Sequence, residues 1–292
     1  MKAVNNKRLM CIVAHPDDES LGMGGTLAKY ASEGVQTYLL MATKGERGRF
    51  GTASVSPGMA VVGQARAREL EEAASILGIS EVSFLGYIDG VLDKALPAEA
   101  IARISRNIRR VRPQVVLTFG PEGAYGHPDH IAISQFTTAA IVQAANPYHE
   151  TRGLQPHSVS KLYYMAWPPA KWDVFQSAFK ELVSKVDGVR RQATPYPDWA
   201  ITTRIDTSAY WQTAWKAIRR HKTQMAIYGQ LEQLSEAQHL TLWGSQEFYR
   251  AFSLVNGGRQ TESCLFEGIN ENGQSIDHEH DNQNTIRQVW EN

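Results

Sequence analysis

Leu9-Met10-Cys11-Ile12-Val13 runs directly into Ala14-His15-Pro16-Asp17-Asp18-Glu19. Five uninterrupted apolar residues read as a strand buried on both faces, the habit of parallel sheets covered by helices. The polar cluster then stands at the strand's carboxyl end, where open α/β sheets place their ligands. One imidazole and three carboxylates so close together repel one another and desolvate badly unless positive charge neutralises them, and a divalent cation does so most directly. His15 and Asp18 are three apart, so they project to one side if the chain enters a helical turn after Pro16, leaving Asp17 free for proton transfer. The alternative is that Asp17, Asp18 and Glu19 only load the amino end of the next helix, where the macrodipole favours anions.

Outward from this stretch the same pattern repeats. A glycine-containing helix follows and stops at Gly34; its glycines lack dinucleotide spacing and suggest close packing of helix on sheet. Val35 to Ala42 is a second apolar run, ending in a polar loop that carries Glu46. Residues Gly51 to Gly63 suggest a long surface loop that either covers a site or merely connects. Helix signals resume over Gln64 to Leu77, which carries Arg66 and Glu69, and strand signals over Val82 to Leu85, just before Asp89. Pro97 to Val111 predicts an amphipathic helix and Val115 to Phe119 a fourth strand. Strands alternating with helices at this spacing predict an α/β fold, a Rossmann-like three-layer sandwich with a mainly parallel sheet. Residues 1–150 form its core. Over 151–267 the pattern changes to strands at Leu162–Trp167, Ile201–Ile205 and Glu247–Leu254 with helices at Lys171–Val183 and Ser208–His221. This reads as a smaller mixed α/β part packed on the core and shaping the substrate pocket. The polar stretch 268–292 reads as a flexible tail.

Composition narrows the function classes. The 292 residues are 42% hydrophobic, enough for one substantial core. Thirty basic residues balance thirty acidic ones and the pI is near 7.1, so no general electrostatic drive points to nucleic acid or to an anionic membrane surface. A small molecule fits better as partner. Two cysteines without metal or disulfide spacing, and no stretch long enough to span a bilayer, suggest a cytoplasmic protein.

The fourth strand ends in Gly120-Pro121-Glu122-Gly123-Ala124-Tyr125-Gly126-His127-Pro128-Asp129-His130, a second imidazole and carboxylate cluster in the same kind of place. His15, Asp18 and His130 together offer two nitrogens and one oxygen, the donor set of a catalytic zinc that keeps a position open. His127 and His130 are three apart, so both can face one pocket, one as ligand and the other as acid or electrophile.

The pairing of Ala-His-Pro-Asp-Asp-Glu with a later Gly-His-Pro-Asp-His resembles the LmbE-like (PIG-L) zinc-dependent de-N-acetylases. That family includes N-acetylglucosaminyl-phosphatidylinositol de-N-acetylase and the deacetylases and amidases of mycothiol and bacillithiol metabolism. The resemblance covers the chain to about residue 145. It implies His15, Asp18 and His130 as ligands of Zn2+, with Fe2+ able to occupy the same set. It also implies Asp17 as the base that activates water, His127 as the group that stabilises the oxyanion and protonates the leaving amine, and Asp129 as the carboxylate holding an imidazole in place. Tyr125 matches a tyrosine that hydrogen-bonds the tetrahedral intermediate. Arg66, Asp89 and Glu46 fall where family members contact sugar hydroxyls, and each has a structural salt bridge as its alternative. His149, His157, His221 and His239 lack ligand spacing. The aromatic residues Tyr163, Trp167, Trp172, Trp211 and Trp215 read as core more than as sugar-stacking surfaces.

The function implied is removal of acetyl from an N-acetylglucosamine-type conjugate by metal-activated water. An amidase acting on a thiol-sugar conjugate or a secondary-metabolite acyl amide uses the same chemistry. A non-catalytic nucleotide- or metal-binding protein is the alternative of another class; against it, a structural zinc closes its shell with four protein ligands, whereas Asp17 and His127 are spare here. Homo-oligomerisation is left open by the sequence.

Overall fold

The computed structural model describes residues 6–149, 151, 153–179, 183–186, 188–255 and 260–270. In chain order its elements are β1 (Arg8–Val13), α1 (Asp18–Ser32), β2 (Gln36–Thr43), α2 (Met59–Leu77), β3 (Glu81–Tyr87), α3 (Pro97–Val111), β4 (Val115–Phe119), the kinked single turn α4 (Gly123–Gly126) and α5 (Pro128–Ala145). There follow β5 (Lys161–Met165), α6 (Pro169–Phe179), the hairpin strands β6 (Ser184–Val186) and β7 (Val189–Arg191), β8 (Thr203–Asp206), α7 (Trp211–Ile218), α8 (Met225–Tyr228), α9 (Glu236–Trp243) and β9 (Ser245–Ser253).

Leu9 to Val13 and Val115 to Phe119 are buried throughout, as uninterrupted apolar strands between two helical layers must be. They are neighbours in a seven-stranded sheet of order β3-β2-β1-β4-β5-β9-β8. The pairs β1–β2, β2–β3, β1–β4 and β4–β5 are parallel, while β9 runs antiparallel to both β5 and β8. From β1 the sheet grows through β2 to β3 on one side and through β4 on the other. The crevice between the carboxyl ends of β1 and β4 is therefore the topological switch point, where α/β sheets bind ligands.

The helices follow from local signals. In α3, Pro97 starts the helix, Ala100, Ile104, Ile108 and Val111 are buried, and Arg112 ends it in the left-handed region at φ 57°. α3 packs with α5, and α1 and α2 pack with α7, giving helical layers around the sheet.

Three expectations need correction. α2 begins at Met59, not Gln64; Gly63 and the exposed Met59 and Val61 blur the helical period there, although Val62 is buried. The α1 glycines do not serve contact with the sheet alone: a Cβ on Gly24 would stand 3.1 Å from that of Ala214 in α7, so this position lets two helices approach closely. And the later half of the chain does not stack on a finished core. β5, β9 and β8 extend the same sheet, and Tyr163 and Phe248 belong to the hydrophobic cluster that also contains β1. Of the tail expected over 268–292, residues 268–270 are packed, with Ile269 buried in that same cluster, and 271–292 lie outside the described residues.

Segment 260–270 is tied to the sheet by Glu262, whose carboxylate accepts hydrogen bonds from Lys161 Nζ at 2.7 Å, Arg250 Nη1 at 2.7 Å, Tyr163 OH at 2.7 Å and Thr203 Oγ1 at 2.9 Å. Lys161 is wholly buried, so Glu262→Ala would strand its ammonium. That substitution is expected to destabilise the fold by about 3–5 kcal/mol, read from denaturant unfolding midpoints; a shift below about 1 kcal/mol would show that the cluster is not held as a buried ion pair.

Candidate metal and catalytic site

The β1–α1 turn and the β4–α5 connection meet over the switch point. Pro128 takes the first position of α5, and His127 caps it by accepting the Asp129 N–H on Nδ1 at 3.2 Å. This places His127 at the helix mouth and His130 one turn in, packed flat on Phe119 with ring centroids 4.0 Å apart.

His15 Nδ1 lies 3.2 Å from His130 Nε2, His130 Nε2 lies 3.3 Å from Asp18 Oδ1, and His15 Nδ1 lies 3.7 Å from Asp18 Oδ2. Two donor atoms each about 2.0–2.1 Å from a tetrahedral ion stand roughly 3.3–3.4 Å apart, so these three side chains fit a zinc-like cation. The orientation of each is fixed from behind. Asp18 Oδ2 accepts the backbone N–H of Ala14 at 3.1 Å and of His15 at 2.7 Å. His15 Nε2 faces Asp129 Oδ2 and Asp89 Oδ1, each at 3.1 Å, which places a proton on Nε2 and turns Nδ1 to the cluster. His130 Nδ1, by contrast, is buried with no partner among the described residues, so stacking on Phe119 sets that ring.

His15, Asp89 and Asp129 also bring ligand-type atoms within 4.8 Å of one another. Asp129 is committed, however: Oδ1 accepts the Leu92 N–H at 3.1 Å and Oδ2 the Gly90 N–H at 2.7 Å. The group therefore orients His15 and does not make a second cation site. His127 joins His15 and His130 at the same 4.8 Å span.

Charge state follows from these contacts. Burial opposes ionisation of Asp18, but the His130 and His15 imidazoles outweigh it and hold its carboxyl down at about 2. Burial likewise works against a charged His15, and its hydrogen bonds to Asp129 and Asp89 hold it well above the ordinary histidine value. His127 is pushed down to about 3, by burial first and then by His130 and His15. It is thus neutral, with Nδ1 occupied and its proton on Nε2.

Asp17 is set apart from the cluster. Burial pushes it up to about 6 against the pull of the Arg66 guanidinium. Its Oδ2 accepts Arg66 Nη2 at 3.0 Å and Tyr228 OH at 2.8 Å. Arg66, itself buried, also donates to Pro16 O at 2.5 Å and Gly45 O at 2.9 Å. A cavity of about 760 Å³ opens here, lined by His15, Asp17, Asp18, Tyr125, His127 and His130 on its floor. The acidic loop residues differ in place. Asp89 reaches the cavity wall, whereas Glu46 does not and accepts the Asp89 N–H at 3.2 Å.

Residues 10–141 match the model of the GlcNAc-PI de-N-acetylase (PIG-L) family. A protein of Thermobifida fusca (strain YX) named 1D-myo-inositol 2-acetamido-2-deoxy-alpha-D-glucopyranoside deacetylase is 34% identical over 260 residues, spanning 77% of this chain and 86% of that one. The chain belongs to the PIG-L family. It is accordingly a hydrolase of carbon–nitrogen bonds, and the deacetylases of this family are metal-dependent. Among solved structures, N,N'-diacetylchitobiose deacetylase from Pyrococcus horikoshii superposes with TM-score 0.64 at 22% identity, over 84% of this chain and 83% of that one. GalB, the 4-carboxy-2-hydroxymuconate hydratase of Pseudomonas putida KT2440, gives the same TM-score at 19% identity, over 86% and 99%. The fold is therefore shared by two chemistries, and family membership comes from sequence, not shape.

In this PIG-L member the later half supplies residues that sequence reasoning missed. Tyr228 touches Asp17, and Trp167, which had read as core, lines the cavity. His221 lies 2.9 Å from Glu19, both side chains fully buried. No local signal marks them, since lone aromatic and histidine residues carry no spacing. Tyr163 and Trp172 do lie in the core. No helix among the described residues is long and apolar enough to cross a membrane.

Asp129→Asn would disturb the carboxylate that holds His15. Metal affinity, measured by competition with a chromophoric chelator, is expected to fall about 10–100-fold; unchanged affinity would exclude Asp129 from orienting a ligand.

Proposed function

We propose that the chain is a metal-dependent de-N-acetylase of an N-acetylglucosamine conjugate with a small polyol such as inositol, using His15, Asp18 and His130 to hold Zn2+ or, on the same ligands, Fe2+. The observation that carries this reading is the separation of two sets of groups. Three donors converge at distances suited to one cation, while Asp17 and His127 line the same cavity beside them, the first held by Arg66 and Tyr228 and the second by the Asp129 N–H.

A bound ion of this kind supplies Lewis acidity, polarising the amide carbonyl and bringing the pKa of water to roughly 7. Asp17 accepts the proton of the attacking water. Its Oδ2 is held by Arg66 and Tyr228, which leaves Oδ1 as the oxygen to receive it. Neutral His127 donates a hydrogen bond from Nε2 to the oxygen that becomes anionic; it has no further proton to give, and the departing amine takes the proton that Asp17 accepted from the water. Tyr125 stands on the same cavity wall, edge-on to the His127 ring at a centroid distance of 6.0 Å, and its hydroxyl serves as a second donor. Acetate and a free amino sugar leave.

Arg66 acts in this reading through Asp17, as a positioning residue, more than as a substrate contact, and Glu46 supports the loop that carries Asp89. Asp89, at the wall, both steadies His15 and can accept a sugar hydroxyl. The cavity's roughly 760 Å³ falls in the range that encloses a drug-sized ligand. That leaves room beyond the acetamido group for a second ring, which the relative named for an inositol conjugate also suggests.

The metal-loaded protein is expected to release acetate from N-acetylglucosaminyl-inositol faster than from free N-acetylglucosamine. Chelation should abolish release, and added Zn2+ or Fe2+ should restore it. Asp17→Asn and His127→Ala are each expected to keep bound metal and lose about 10²–10⁴-fold in kcat. Full activity in both variants would sink the assignment of base and oxyanion donor.

A further inference from the structure

We propose that Glu19 and His221 form a positioning pair for Asp17, so that the base is set in place from the far half of the chain. The inference rests on the reading of Asp17 as the base.

Asp17 stands at φ 112°. A residue with a Cβ is strained in so sparse a region, and the conformation persists only where neighbours over-determine it. Glu19 provides that constraint. Its Oε2 accepts the Asp17 N–H at 3.0 Å, and its Oε1 accepts Ser20 Oγ at 2.5 Å and faces His221 Nε2 at 2.9 Å. Neither Glu19 nor His221 exposes any surface. A carboxylate at that depth has no solvent to satisfy it, so its direction is dictated by its donors. His221, fixing Oε1, keeps Oε2 on the Asp17 amide.

The pair is part of a strap. Thr223 donates its N–H and its hydroxyl to the Glu69 carboxylate at 2.9 and 2.7 Å, one turn along α2 from Arg66. Gly51 N–H reaches Thr223 O at 2.7 Å, and Gln224 Nε2 reaches Arg49 O at 2.8 Å. Tyr228 closes the strap on Asp17 Oδ2. Residues 221–228 thus grip Asp17 twice, through its amide by way of Glu19 and directly at its carboxylate. A pair that served stability alone would have no reason to end on the backbone of this one residue.

The test compares His221→Leu, which removes the donor, with His221→Gln, whose amide N–H can reach toward Glu19. Steady-state kinetics on N-acetylglucosaminyl-inositol, metal content and unfolding midpoint are measured on the same metal-loaded preparations of the full chain. His221→Leu is expected to lower kcat about 10–100-fold with KM and metal content unchanged, and His221→Gln to recover most of the loss. Wild-type kcat in His221→Leu, equal impairment of both variants, or a loss that tracks metal content would overturn the proposal. If His221→Leu does not fold, Glu19→Met, close in volume and without an acceptor, carries the same expectation, and wild-type kcat there overturns it. Asp17→Asn separates the two levels. An active Asp17→Asn removes the base assignment itself, whereas an inactive one beside a fully active His221→Leu removes only the positioning pair.

Discussion

Two imidazole nitrogens 3.2 Å apart beside a carboxylate, all nearly excluded from water, are the constraint on which the rest of this molecule depends. Lone pairs so placed repel unless a proton or cation stands among them, and each group has given up hydration to be there. The fold makes the arrangement affordable by distributing the cost. Backbone amides of Ala14 and His15 hold Asp18, and two carboxylates hold the far side of His15. Those carboxylates are in turn held by the amides of Arg47, Gly90 and Leu92. Loops after three different strands converge on the ring of His15.

Such convergence is available only at the switch point. β1 and β4 are adjacent and parallel, so the turns that leave their carboxyl ends are neighbours although more than a hundred residues separate them. Had β4 and β5 been exchanged in the sheet order, His130 would have been carried a strand further from β1, by about 4.8 Å. The donor set could then not close on one ion. Sheet order, decided by hydrophobic burial, is thus also the determinant of the chemistry.

What was legible in the sequence follows from this. The runs at Leu9–Val13 and Val115–Phe119 and the helix Pro97–Val111 announce themselves by local pattern, because burial on both faces or on one stripe is written into consecutive residues. The two motifs are local too, and each sits where a strand ends. Three kinds of feature were not legible. The start of α2 at Met59 was hidden by exposed apolar residues and Gly63. The recruitment of β5, β9 and β8 into the same sheet depends on pairing across the chain, to which strand propensity is blind. Tyr228 ends the single-turn α8 and His221 lies just past α7, and only three-dimensional proximity distinguishes them from His149 or His157, which bond instead to Gln143 and to the Pro113 carbonyl.

The division of labour between the halves also changes. Read along the chain, residues beyond 150 only shape a pocket around machinery completed earlier. In space, α6 and the β6–β7 hairpin line the cavity while the strap at 221–228 reaches the turn that carries Asp17. A residue in a strained backbone conformation, as Asp17 is, cannot be held by its own turn alone, since the turn relaxes at a gain of about 1–3 kcal/mol once released. The restraint has to come from elements anchored elsewhere. α7, packed on both α1 and α2, places His221 and Thr223 against those two helices at once. The early half therefore carries the imidazole and carboxylate cluster, while the later half restrains the turn beside it.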